Sequence, residues 1–272
     1  MNNLLSVHIP AYRIVSGDYP LREVVWSALP IADEILIACP PADADGTRDY
    51  VESIRRLYPG VVKILLLDWW QPEQRQEGSL SDVTNHLIEA CSGEWHLSLQ
   101  ADEVIHETQA QTILDLCRQS RAKWYEFERL NFFGTFEAYN GNRERWPSSV
   151  CRLARRDAFP HICSYSDATH LGVPLDFNPV TDLRWDARAE VQLWHYSYVR
   201  YPRAYVERQK GMAALYGLGE DPRITAWRER GRIDWWEMAP KSELVPIPCP
   251  HPQVMEHWIA ERRAAVESGV IE

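Results

Sequence analysis

The 272-residue chain contains no Cys-x-x-Cys pair, no Gly-x-Ser-x-Gly elbow and no apolar run approaching the length of a membrane span. The six cysteines, at 39, 91, 117, 151, 163 and 249, are too scattered for a zinc ribbon or a small disulfide scaffold. A reducing, cytoplasmic setting fits them. Without the elbow, a serine hydrolase of the α/β type is set aside. The apolar stretch Leu4 to Ile9 is too short for a signal-peptide core and runs into Pro10, so no integral membrane segment is expected. Positive charge is also scarce: 29 Lys and Arg face 39 Asp and Glu, a net charge of −10. That balance repels phosphate backbones, so a nucleic-acid acceptor or partner is not indicated by charge. What the chain has in excess is tryptophan, 12 in all. Most are read as core filling, although such rings also form platforms on which sugars stack.

The first hundred residues alternate short apolar runs with helical spacing, the pattern of a largely parallel α/β sheet. Leu4 to Ile9 reads as a strand ended by Pro10. Leu21, Val24, Val25, Ala28 and Leu29 recur at helical spacing until Pro30, and Glu34 to Ala38 is a second strand. After a polar loop at residues 43 to 47, Thr47 is expected to cap a helix carrying Val51, Ile54 and Leu57. Val61 to Leu67 is a third strand. A third helix turns Leu80, Val83, Leu87, Ile88 and Cys91 inward, with Gly93 expected in a left-handed conformation past its end. Trp95 to Leu99 is strand four. A helix through Ile113, Leu116 and Cys117 then leads to an aromatic strand, Trp124 to Leu130. Beyond residue 200 the spacing is helical, with Pro240 to Pro252 read as a loop.

In an open parallel sheet, ligands bind at the carboxyl ends of the strands, where the strand order reverses. Gln100-Ala101-Asp102-Glu103 falls there, directly after strand four. A carboxylate in that position can hold a hard divalent cation, and it can equally be a polar turn before the next helix.

The neighbours of that motif carry a resemblance. Ser6-Val7-His8-Ile9-Pro10-Ala11-Tyr12, Asp33-Glu34-Ile35-Leu36-Ile37, Asp45-Gly46-Thr47-Arg48 and Glu94 to Glu103, in that order and spacing, resemble the family-2 glycosyltransferases of the GT-A fold. The resemblance covers roughly residues 1–107 and weakens afterwards. It implies an α/β GT-A domain over 1–200, Rossmann-like, with a mixed, mostly parallel sheet flanked by helices. Residues 1–107 would form its nucleotide-sugar half and 108–200 its acceptor half, with a C-terminal helical extension over 201–272. By the same resemblance, Pro10, Ala11 and Tyr12 lie against the base and ribose of a nucleotide diphosphate sugar, a UDP-sugar being favoured. Asp43 or Asp45 contacts the base, and Ala101 belongs to the same donor site. Asp102 matches the last acidic residue of the family's Asp-x-Asp motif and reaches Mn²⁺ or Mg²⁺. Gln100 departs from the pattern, since an amide can still meet the ribose but brings no charge.

In relatives with a segment like Trp194 to Arg200, a late histidine returns to the metal, which implies His195 as a second ligand, the alternative being a histidine satisfied within an aromatic cluster. Arg200 or Lys210 would meet the diphosphate. The implied reaction is a metal-dependent, inverting transfer to an unidentified hydroxyl acceptor. It needs a general base between the metal motif and the late histidine. Asp167 is preferred there over Asp176 and Asp182, with Glu137 in reserve. Arg129 to Phe136 and Trp146 offer an acceptor platform or, equally, a core strand. Two other classes stay in view. A sugar-nucleotide pyrophosphorylase should show a Gly-rich phosphate loop after strand one, which Pro10-Ala11-Tyr12 does not provide. A catalytically inactive nucleotide- or sugar-binding protein on the same fold is kept open by Gln100.

Overall fold

Apolar runs that are hydrophobic at nearly every position make strands covered on both faces, and the first half of this chain is built from them. The computed structural model describes residues 3–42, 45–67, 79–119, 122–143, 149–159, 163–164, 171–172, 186–215, 219 and 221–271. Strand β1 (Leu5–Pro10) leads through α1 (Leu21–Ala28) to β2 (Glu34–Cys39), then through α2 (Thr47–Leu57) to β3 (Val62–Leu66), and through α3 (Ser79–Ala90) to β4 (Trp95–Ser98). β1 pairs in parallel with both β2 and β4, and β2 with β3, so the order is β3-β2-β1-β4. On α1, Leu21, Val24, Val25 and Ala28 are fully buried in the main core. Each buried Leu or Val contributes about 1.5–3 kcal/mol of apolar transfer.

The second half completes the sheet. It comprises β5 (Glu103–Ile105), α4 (Ala110–Gln119), β6 (Trp124–Phe133), β7 (Ala138–Asn140) and β8 (Ser149–Arg155). A separate two-stranded ladder, β9 (Cys163–Ser164) with β10 (Leu171–Gly172), precedes the long β11 (Asp186–Tyr198). β8 lies antiparallel between β4 and β6, while β11 runs parallel to β6 and antiparallel to β5. The result is a mixed sheet with a parallel half, flanked by helices. Residues after 200 form α5 (Pro202–Leu215), α6 (Pro222–Arg230), β12 (Leu244–Pro246) and α7 (Glu256–Ser268). Met255, Trp258, Ile259 and Val266 join the main core rather than a core of their own. No helix among the described residues is long and apolar enough to cross a membrane.

Four local expectations change. Thr47 does not cap α2: it is the first helical residue, after Gly46 at φ 83°, and the Asp45 carboxylate accepts from its N–H at 3.2 Å and its hydroxyl at 2.8 Å. Gly93 is not left-handed. It is required by close approach, because a Cβ there would lie 2.6 Å from the Ser6 nitrogen. The proline-rich stretch contains β12, which pairs with β7 at the sheet edge. In the Arg129 to Phe136 segment, the rings of Phe132, Phe133 and Phe136 are fully buried, so these faces are core and not an open platform. Phe132 stacks on Tyr196 at 4.9 Å.

Candidate functional site

The strand order reverses at β1, and a cleft of about 210 Å³ opens where β1 and β4 end. Its walls are the loop after β1, the turn after β4 and one face of α5.

The turn after β4 is shaped by its own last residue. The Gln100 N–H donates to Glu103 Oε2 at 3.0 Å, and the Glu103 N–H returns to the Gln100 carbonyl at 3.1 Å. Glu103 is fully buried and takes both prongs of Arg152, Nε at 2.9 Å and Nη2 at 2.7 Å, with Arg129 Nη1 at 3.4 Å. Burial opposes its ionisation, but Arg152 and then Arg129 outweigh it and hold the carboxyl below its usual range. This fixed turn projects Gln100, Ala101 and Asp102 into the cleft.

Register brings the late histidine to the same corner. His195 lies opposite Glu103 on β5 and opposite Asn131 on β6, just before an irregularity in the β11–β6 pairing. Its Nδ1 is 2.7 Å from the Asn131 amide oxygen, which can only accept, so the ring proton sits on Nδ1. Burial pulls His195 below its ordinary value, and Asp102 offsets this only in part, so the ring is neutral near neutral pH. Its Nε2 lone pair then faces Asp102 Oδ1 at 3.5 Å. The other carboxylate oxygen accepts from Arg200 Nη2 at 2.8 Å. Burial opposes ionisation of Asp102 too, yet its carboxyl stays well below the usual range, with the permanent charge of Arg200 bonded to it.

Two acceptors facing each other across 3.5 Å are unfavourable unless something positive lies between them. With metal–ligand distances of about 2.1 Å, both atoms reach one Mn²⁺ or Mg²⁺, so the donor set fits. No cluster of three or more His, Cys, Asp or Glu gathers among the described residues, which leaves the remaining positions to water and substrate oxygens.

The loop after β1 is held from several elements. The Ile14 N–H donates to Thr47 Oγ1 at 2.7 Å, and Ser16 donates to Asp45 through its N–H at 3.0 Å and its hydroxyl at 2.9 Å. Arg200 donates to the Gly17 carbonyl, and Arg262 of α7 donates to Asp18 from Nη2 at 2.6 Å. Arg13 and Asp18 stand at φ 50° and 51°, unusual for residues with a Cβ.

Of the sequence-derived candidates, the structure brings Pro10, Tyr12, Gln100, Ala101 and Asp102 to the cleft, with His195 buried directly behind Asp102. Ala11 is fully buried, its N–H donating to the Ala38 carbonyl at 2.7 Å. Asp45 does not line the cleft: its oxygens are taken up by Ser16 and Thr47. Arg200 is likewise no cleft residue. It is fully buried, donating to Asp102, the Gly17 carbonyl and the Ser197 carbonyl. Lys210 pairs with Glu207 at 2.5 Å. Glu137 is exposed and paired with Arg263. Asp43, Asp167, Asp176, Asp182 and Trp146 lie outside the described residues. Sequence reasoning missed Arg13, Tyr19, Asn131 and Arg208. Arg13 directly follows Tyr12, a usable signal, whereas Arg208 and Asn131 reach the site only through the packing of α5 and the β6–β11 register.

No family model matches the sequence, and no curated protein does. Solved structures similar to it include S. aureus TarS 1-349 in complex with UDP-GlcNAc, at 14% identity over 78% of this chain, with a TM-score of 0.44. This chain spans 66% of that one, just under two thirds. Glucosyl-3-phosphoglycerate synthase from Mycobacterium tuberculosis, with Mn²⁺, UDP and glucosyl-3-phosphoglycerate, is similar at 14% identity over 80% of this chain and 82% of that one, with a TM-score of 0.43. The mannosyltransferase from Pyrobaculum calidifontis with GDP-Man and Mn²⁺ is similar at 12% identity over 84% and 70%, with a TM-score of 0.43.

Proposed function

We propose that this chain is a GT-A glycosyltransferase that transfers a sugar, with inversion, from a nucleotide diphosphate sugar to a hydroxyl acceptor. The observation that carries this reading is the facing pair Asp102 Oδ1 and His195 Nε2, at 3.5 Å, with Asp102 lining a cleft at the β1/β4 switch point and His195 buried directly behind it. The pair would hold Mn²⁺ or Mg²⁺. Such an ion supplies Lewis-acid stabilisation of the charge that develops on a departing diphosphate.

The chain's own residues do the rest. Tyr12 and Pro10 line the cleft as a surface for the base and ribose, a UDP donor being preferred, and Gln100 offers its amide to the ribose. Asp45 acts at one remove by fixing Ser16, which does line the cleft. Arg200 keeps Asp102 ionised and aimed, and Asn131 fixes the His195 tautomer. Asp167 is assigned as the base that takes the acceptor proton.

The test is hydrolysis of a panel of UDP-, GDP- and dTDP-sugars, with and without Mn²⁺, by the wild type and by Asp102→Asn. Metal-dependent turnover should fall on the order of 10³-fold in the variant. Nucleotide binding with no turnover of any donor, across a broad acceptor panel, would instead mark an inactive binding protein. Wild-type turnover by Asp102→Asn would overturn the site.

A further inference from the structure

The charges that line the cleft are unevenly spent. Of its two carboxylates, Asp102 is paired with Arg200 and Glu207 with Lys210. Its two basic residues are Arg13 and Arg208, and neither guanidinium is fully used. Arg208 donates from Nε to the Tyr19 hydroxyl at 2.9 Å, and its two terminal nitrogens meet no hydrogen-bond partner among the described residues. Arg13 forms no side-chain hydrogen bond or ion pair among them.

Both side chains line the cleft beside one face of α5. A Cβ built on Gly211 would stand 3.1 Å from Arg13 Nη1, so the Arg13 side chain crosses the cleft to the helix turn after Arg208, three residues away. The missing side chain at Gly211 leaves it room. Arg13 holds its left-handed φ of 50° in a loop whose neighbours on both sides are tied down. Strained residues of this kind gather at ligand clamps. Arg208 cannot swing away, because Tyr19 fixes its Nε and the same tyrosine ring lies against Arg200, 4.2 Å from its centroid.

We propose that Arg13 and Arg208 form a two-armed clamp for the diphosphate of the donor and of the nucleotide product. The assignment rests on reading the cleft as a nucleotide-sugar site. Two guanidiniums with unused donors, Arg208 sharing the Asp102 charge with Arg200, match a diphosphate in charge and in donor geometry, since a guanidinium fork meets phosphate oxygens in pairs. The clamp works beside the Asp102 corner, so diphosphate binding persists when no divalent cation is present.

Calorimetry on the full chain in EDTA, with UDP, GDP and inorganic pyrophosphate as probes, tests this. The wild type should bind at least one of them. Arg13→Gly and Arg208→Ala should each weaken binding about ten- to a hundredfold, and the exposed control Arg56→Ala should not. Glycine takes a positive φ without strain, so Arg13→Gly keeps the test meaningful even if Arg208→Ala unfolds. Unchanged affinity in Arg13→Gly, or no binding of any probe by the wild type in EDTA, overturns the clamp. Diphosphate binding lost in the variants, with no sugar turnover by the wild type, leaves the clamp standing and sinks the transferase reading. Turnover with unaltered binding in the variants does the reverse.

Discussion

At the end of β4 two adjacent carboxylates go to different regions of the molecule. Asp102 reaches the cleft, where one of its oxygens is held by Arg200 and the other faces a neutral imidazole across a gap that suits a cation. Glu103 turns into the sheet, is completely enclosed, and has both oxygens occupied by Arg152, Arg129 and the Gln100 N–H. The polar layer behind Glu103 continues through Arg152 to the buried His8–His96 pair, whose nitrogens lie 3.2 Å apart. One region presents an acceptor pair beside the cleft, and the other pairs its carboxylate internally. The same residue chemistry thus separates into the proposed site and the frame that aims it.

The largest test of that division exchanges charge for an isosteric amide at each position. Glu103→Gln takes from the buried Arg152 the carboxylate that holds both its prongs, and should cost about 3–5 kcal/mol of stability in urea denaturation. Asp102→Asn should cost less, about 1–3 kcal/mol, because Arg200 keeps the carbonyls of Ser197 and Gly17 and can still donate to the amide oxygen. Activity should follow the opposite order when each variant is assayed while folded. Equal stability losses, or a larger loss for Asp102→Asn, would abolish the distinction.

The next effect lies within the cleft region. Asn131 touches neither nucleotide nor cation in this reading, yet it sets which nitrogen of His195 carries the proton. Asn131→Ala should weaken Mn²⁺ affinity about 10- to 100-fold with the fold retained, as measured by the Mn²⁺ dependence of donor hydrolysis. A Mn²⁺ dependence identical to that of the wild type would mean that His195 is not oriented by this bond.

Much of the frame was legible because it rests on local signals. The apolar runs of β1, β2 and β4 needed only their own residues, and the position of Gln100 to Glu103 after β4 followed from their order. What remained hidden depends on long-range register. Arg200 looks like a free cation in sequence, but it is committed to the Gly17 carbonyl 183 residues away. Asn131 and His195 meet only because β6 and β11 pair in parallel. Asp45 sits where a base contact is expected, and the short distance to Ser16 claims its oxygens first. Glu103 gave no hint that its role is to be buried, since an acidic residue in a turn ordinarily faces water.

The smallest effect concerns the deepest part of the frame. Burial holds His96 at about 3 and, with His96 and Arg152 adding to it, holds His8 well below the ordinary 6.5. In the unfolded chain both imidazoles take up a proton as pH falls through about 6.5, whereas the folded chain refuses it until far lower. Stability is therefore highest above that pH and declines as pH drops toward 3, by up to about 1.4 kcal/mol per pH unit for each refused proton. His8 Nδ1 and His96 Nε2 find no hydrogen-bond partner among the described residues, so little in the frame would stabilise the charged rings. His96→Asn removes one of the two protons from the balance. The slope of unfolding free energy against pH between 6.5 and 4 should then fall by about one proton relative to the wild type, while groups common to both proteins, His195 included, cancel in the difference. An unchanged slope would mean that the His96 ring is already charged in the fold, and the internal satisfaction that separates the Glu103 region from the cleft would have to include an anion beside it.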